Sequence, residues 1–262
     1  MNRPASLTTR SSDGSSEGGA LAVPVEDWSF GSLDGTQRES DELIQKFNGW
    51  GWKAAEFTKK EATKAALFKI HSPYILHLAT HGFFAKEDPT VAQAESPLNE
   101  RHSVTKSKFF KNPMHRCGLA LAGAETTIEA WKRDEVPPVE NDGILTAEDV
   151  STLDLQGTWL VTLSACDTGS GEARAGEGVM GLRRGFIQAG AQNLLMTLWP
   201  IGDETTVQIM SDFYDAAHES GNAPEALAEV QRKWLIKIRA EKGIAQAVNL
   251  AGPFIMSSQG RP

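Results

Sequence analysis

Residues 158–199 read TWLVTLSACDTGSGEARAGEGVMGLRRGFIQAGAQNLLMTLW, and the organisation of the chain follows from them. The two ends, TWLVTLS (158–164) and NLLMTLW (193–199), are short and almost continuously apolar, the pattern of parallel strands covered on both faces. Between them Val179, Leu182, Phe186 and Ala189 mark one helical stripe. A strand, a helix and a second strand in so short a stretch make a βαβ crossover, expected to be right-handed. Cys166 stands at the mouth of the glycine-rich loop that follows the first strand.

A third run of the same kind, YILHLAT (74–80), lies between Pro73 and Gly82 and ends at His81. These runs predict an α/β sandwich with a mainly parallel sheet, whose sites form at the carboxyl ends of strands. His81 and Cys166 both fall there. Helices are expected over TQRESDELIQKFNG (36–49), with Thr36 and Glu39 at capping-box spacing, and over TKKEATKAALFKI, opened by Thr58 and Glu61. Two more are expected from Asp203, a candidate N-cap, and from Pro224 near the first helical position. ALAVPV (20–25) reads as an edge strand. Residues 1–19, rich in Ser, Gly and Thr, read as a disordered tail ahead of a single domain over 20–262.

Composition narrows the function classes. The formal net charge of −8 argues against a general nucleic-acid or membrane-surface binder. No apolar run reaches the ~20 residues of a membrane span, and the first residues have no secretory apolar core. Two cysteines, Cys117 and Cys166, form no disulfide framework and suit a reducing cytoplasm. The loop after Cys166 has no phosphate-binding glycine signature, and its Glu172 and Glu177 repel phosphate. No calcium loop of EF-hand type and no cofactor motif is present.

The chemistry open to His81 and Cys166 is nucleophilic catalysis. A neighbouring imidazole lowers a thiol pKa and then protonates a leaving amine. Gly82 lets a backbone N–H approach a developing oxyanion, and the Cys166 N–H is a second donor. Against this, free cysteine is among the most buried residue types, so the residues alone leave an inert core cysteine equally open. Metal binding by His77 and His81 is disfavoured, because four residues of strand span ~13 Å. His77 reads as a satisfied core residue.

LHLATHGFF, LVTLSACDTGSG and GEGVMGLRRGFIQAGAQNLLMTLWPIGDETT together resemble the CHAT domain family, with support from LDGTQRESDEL, NPMHRCGLALAGA, DGILTAEDV and GPFIMSSQG. These are caspase-like cysteine peptidases, related to metacaspases and separases and often fused to tetratricopeptide repeats. The resemblance implies a caspase-like three-layer α/β/α sandwich. It implies a His–Cys dyad in which His81 is the general acid/base, Cys166 the nucleophile, and the Gly82 and Cys166 amides the oxyanion hole. The dyad residues lie 85 positions apart, against ~50 in caspases, and the excess is assigned to an insertion at about 85–142. Ser164, two residues before the cysteine, is expected to line the pocket for the substrate side chain. It is neutral, so basic specificity is in doubt unless Asp203 supplies an acid; the helix-cap reading of Asp203 is favoured. The expected activity is cytoplasmic endoproteolysis of a protein or peptide substrate under the control of a partner, such as a tetratricopeptide-repeat module. The alternatives are a catalytically silent interaction module and a small-molecule hydrolase or acyltransferase using the same dyad.

Overall fold

The computed structural model describes residues 5–8, 28–30, 33–85, 112–133, 135–138, 140–164, 175–199, 201 and 203–260. The three apolar runs are strands, β3 (Ile75–Ala79), β7 (Leu160–Ser164) and β8 (Asn193–Thr197), and every residue in them is buried. They belong to a six-stranded sheet of order β2-β1-β3-β7-β8-β9, with β1 at Ala5–Thr8, β2 at Ala55–Phe57 and β9 at Phe254–Ser258. All neighbours are parallel except β8 and β9. The fold is mixed α/β with a mainly parallel sheet, as the apolar runs imply.

Alternate strand residues face opposite sides, and here they divide between two apolar clusters. Ile75, Leu160 and Leu195 pack with Leu43 and Phe47 of α1 (Asp34–Gly49), with Phe213 and Tyr214 of α6 (Asp203–Ser220), and with Val230 and Trp234 of α7 (Ala223–Lys242). The eight-residue α8 (Ile244–Ala251) completes that face. Leu76, Leu78, Val161 and Leu163 point the other way, onto Leu182, Phe186 and Ala189 of α5 (Ala175–Ala189). Burying one such side chain contributes roughly 1.5–3 kcal/mol, so the doubly covered strands are where the fold is most strongly held. No described helix is long and apolar enough to cross a membrane.

Three expectations need correction, and one falls on residues that are not described. The stretch read as a disordered tail contains β1, which pairs with both β2 and β3. Its four residues show no periodicity of their own, and the backbone groups of the neighbouring strands supply the order. The candidate strand 20–25 lies outside the described residues. The helix expected from Thr58 is instead a 3-10 turn, Lys59–Glu61, followed by α2 (Lys64–Phe68). Lys59 takes a left-handed φ of 51°, and the cap passes to Thr63, whose side chain accepts from the Ala66 N–H at 3.1 Å. Asp203 is the first residue of α6 rather than the residue before it. Asn222 does cap α7, and Pro224 stands in its first turn.

Part of the stretch expected as an insertion builds core. It holds β5 (Cys117–Ala120) and α3 (Ala124–Lys132), and β5 is the central strand of a second, antiparallel sheet of order β4-β5-β6. The partners of β5 are β4 (His81–Phe84) and β6 (Ile144–Thr146). Leu119, Ile128 and Trp131 are buried in it. Gly123 begins α3 at φ 103°, where a Cβ would collide with the carbonyl oxygen of Asn141. After β6 a capping box of Thr146 and Asp149 opens the short α4 (Ala147–Ser151), and Lys64 reaches Asp149 at 3.2 Å and the Ile144 carbonyl at 2.9 Å.

Candidate active site

The carboxyl ends of β3 and β7 stop level with each other. Their parallel register pairs Ala79 with Ser164. His81 is two residues beyond Ala79 and Cys166 two residues beyond Ser164; Cys166 itself lies outside the described residues. Thr80 joins the two sheets, its hydroxyl donating to the Ala120 carbonyl, and β4 leaves with His81 as its first residue. Gly82 follows in the same strand, opposite Leu119.

His81 is half-buried beside an aromatic wall. Its ring centroid is 5.7 Å from Phe30, which adjoins Trp28 at 6.1 Å, and Trp28 in turn packs on Phe83 at 5.0 Å. The Phe30 N–H donates to Glu125, so the wall is tied to α3. Sequence reasoning missed Phe30. Its signal was the aromatic pair in DWSF, which stands apart from any periodic segment.

Ser164 does not present a free hydroxyl. It is 4% exposed and donates at 2.8 Å to Oε2 of Glu39, which is 3% exposed on α1. Oε1 of Glu39 lies 3.3 Å from Nε2 of His77 but outside hydrogen-bond geometry, so neither atom has a hydrogen-bond partner. On the other side of the ring, His77 Nδ1 is 3.0 Å from the Tyr214 hydroxyl, which donates to Thr162 Oγ1 at 2.8 Å. His77 is thus a core residue, satisfied at one nitrogen only. Burial pushes the Tyr214 phenol far above its ordinary range, so that hydroxyl stays protonated as a donor. This chain of polar groups crosses α1, β3, β7 and α6 beneath the strand ends.

Glu39 was expected to cap α1. It turns inward instead, Thr36 donates to the Leu33 carbonyl, and the helix has no side-chain cap. Of the expected site residues, then, His81, Gly82 and Ser164 gather at the ends of β3 and β7, and Asp203 opens α6 after β8. Among the described residues, no three His, Cys, Asp or Glu side chains gather as a metal site.

Comparison with known families turns this geometry into an assignment, because residues 2–243 match the CHAT domain. The chain belongs to the CHAT domain family. That family is caspase-like and related to peptidases. The chain is also similar to Tetratricopeptide repeat protein 28 of Homo sapiens and of Mus musculus, at 23% identity over 231 residues in each case. The matched region is 88% of this chain and 9% of either relative, so the chain spans a small part of the proteins it resembles. The match begins well before residue 20, in keeping with the place of β1 inside the sheet.

Proposed function

We propose that this CHAT domain is a cysteine endopeptidase of caspase-like fold, with His81 as general acid/base and Cys166 as nucleophile. The observation that supports it is the register of β3 against β7, which ends two neighbouring parallel strands level and two residues short of His81 and Cys166. The apolar clusters on both faces of the sheet agree with a three-layer sandwich.

In this reading the Cys166 thiolate adds to the peptide carbonyl carbon, and the carbonyl electron pair moves onto oxygen. The Gly82 and Cys166 amides donate to that oxyanion. His81 gives a proton to the amine as the C–N bond breaks, leaving an acyl-enzyme. It then takes a proton from the water that attacks the thioester, and the thiol is released. The aromatic wall at Phe30 limits the positions of the His81 ring, which this proton traffic needs. The expected pocket role of Ser164 does not carry over, because its side chain is buried and committed to Glu39; it braces the end of β7 instead. No cofactor enters the scheme, and the two cysteines fit a reducing cytoplasm. The tetratricopeptide-repeat proteins among the relatives support control by a repeat-containing partner.

The test is the pH-dependent alkylation of each cysteine by iodoacetamide, read by peptide mass in wild type and His81→Ala. A Cys166 midpoint well below the ~8.5 of a free thiol, abolished by His81→Ala while Cys117 is unchanged, is the expected result. Cys166 reactivity that ignores His81 in the folded chain refutes the assembled dyad and favours a silent interaction module.

A further inference from the structure

On the outer side of α5 lies a cavity of about 560 Å³, lined by Arg116, Arg183 and Arg184 together with Met114, Met180 and Ile187. Phe84, the last residue of β4, closes one side. No carboxylate is among the described lining residues. That is unusual in this chain, where Asp and Glu outnumber Lys and Arg by 34 to 26. Met180 is 55% exposed. Arg184 is exposed and makes no ion pair or hydrogen bond among the described residues, whereas Arg183 is held by Ser257 at 2.7 Å.

We propose that this groove docks a short acidic segment of a protein partner, its carboxylates on Arg184 and the outer edge of Arg183 and its apolar side chains among Met114, Met180, Ile187 and Phe84. Planar guanidinium forks match carboxylates, and the flexible thioethers adapt to varied side chains. Arginine and methionine are both enriched where proteins meet. A nucleic acid or an anionic membrane fits less well. The overall charge of −8 repels an extended anion, whereas a short peptide within ~8 Å meets chiefly the local arginine field. The floor is concave and thioether-lined, unlike a surface that rests on lipid headgroups.

The position gives the groove a second meaning. Phe84 ends the strand that His81 begins, and α5 starts nine residues after Cys166. An occupant touches the strand that begins at His81 and the helix that follows Cys166 in the chain. The docking itself rests on the groove alone and stands whether or not the chain cleaves peptides.

The experiment is a selection of random displayed peptides of about a dozen residues on the wild-type chain, followed by fluorescence-anisotropy titration of those enriched. Net-negative peptides with interleaved Leu, Met or Phe are expected. They should bind Arg184→Glu and Met180→Glu chains about tenfold more weakly, weaken with salt, and bind His81→Ala as wild type. Both altered side chains are exposed, and circular dichroism checks that each variant is folded; Arg184→Ala, which adds no charge, repeats the comparison. Failure to enrich any peptide overturns the proposal. So do basic or neutral winners, and so does binding unaffected by the three variants. Sedimentation with phosphatidylserine vesicles that Arg184→Glu abolishes, with no peptide enriched, assigns the groove to membranes and overturns it too. Because His81→Ala is included, loss of the peptidase reading and loss of this one are separate results.

Discussion

Ser164 on β7 and Glu39 on α1, 125 positions apart in sequence, share a 2.8 Å hydrogen bond inside the core. The bond locks the end of the strand that leads into Cys166 against the helix that covers it. It also holds a buried carboxylate against the residue two places before the proposed nucleophile, with its second oxygen facing His77.

Glu39→Ala should therefore cost about 2–4 kcal/mol, since it opens a cavity and strands the Ser164 hydroxyl without its acceptor. Glu39→Gln keeps shape and an acceptor oxygen and should cost about 1 kcal/mol. Equilibrium urea unfolding measures both, and equal losses would show that the negative charge of Glu39, not its shape or its hydrogen bond to Ser164, is what matters.

Alkaline pH should weaken the fold through Cys117. Burial raises its thiol from the ordinary 9.0 to about 11. Between those values the unfolded chain releases a proton that the folded chain keeps, so the contribution is whole below pH 9 and is lost as pH rises to about 11. The loss is about 2–3 kcal/mol. Burial raises Tyr214 in the same sense, with its effect starting above its ordinary 10.0. Cys117→Ala should flatten the pH 9–11 limb of a stability curve, and an unchanged limb refutes the assignment.

Helix α5 meets α4 through glycine. A Cβ on Gly185 would stand 2.6 Å from the Ala147 carbonyl oxygen and 3.1 Å from Val150 Cγ1. Alanine gains up to ~1 kcal/mol of helix propensity over glycine, but here the clash is with backbone and the packing must open. Gly185→Ala should lose about 1–3 kcal/mol net, seen as a lower thermal midpoint. A gain in midpoint would mean that α4 yields freely.

On the peptidase reading, Phe30 holds the His81 ring. Phe30→Leu keeps apolar volume but removes the flat face, and should slow His81-dependent alkylation of Cys166 about tenfold. Cys117 alkylation serves as the internal control. A rate equal to wild type would leave Phe30 a packing residue only.

The strands β3, β7 and β8 were legible because continuous apolar character in five to seven residues has few other uses. The end-level placement of His81 was legible from the same runs. What escaped depended on partners remote in sequence. Glu39 has the spacing of a capping residue, and only the fold reveals that Ser164 competes for it and wins. β1 is four residues in a Ser- and Thr-rich stretch, too short for a period, and is ordered by strands on both sides. The helix predicted from Thr58 broke at Lys59, whose left-handed backbone has no local signature. β5 and α3 were hidden by reading the spacing between His81 and Cys166 as surplus length, when part of that length builds a second sheet.

The register that sets Phe84 opposite Cys117 brings the flanks of residues 86–111 together on adjacent strands. Two strand ends held side by side are a natural graft point, since each doubling of an inserted length costs only ~0.6 kcal/mol of closure entropy. A reporter domain exchanged there would leave every described strand of both sheets uncut.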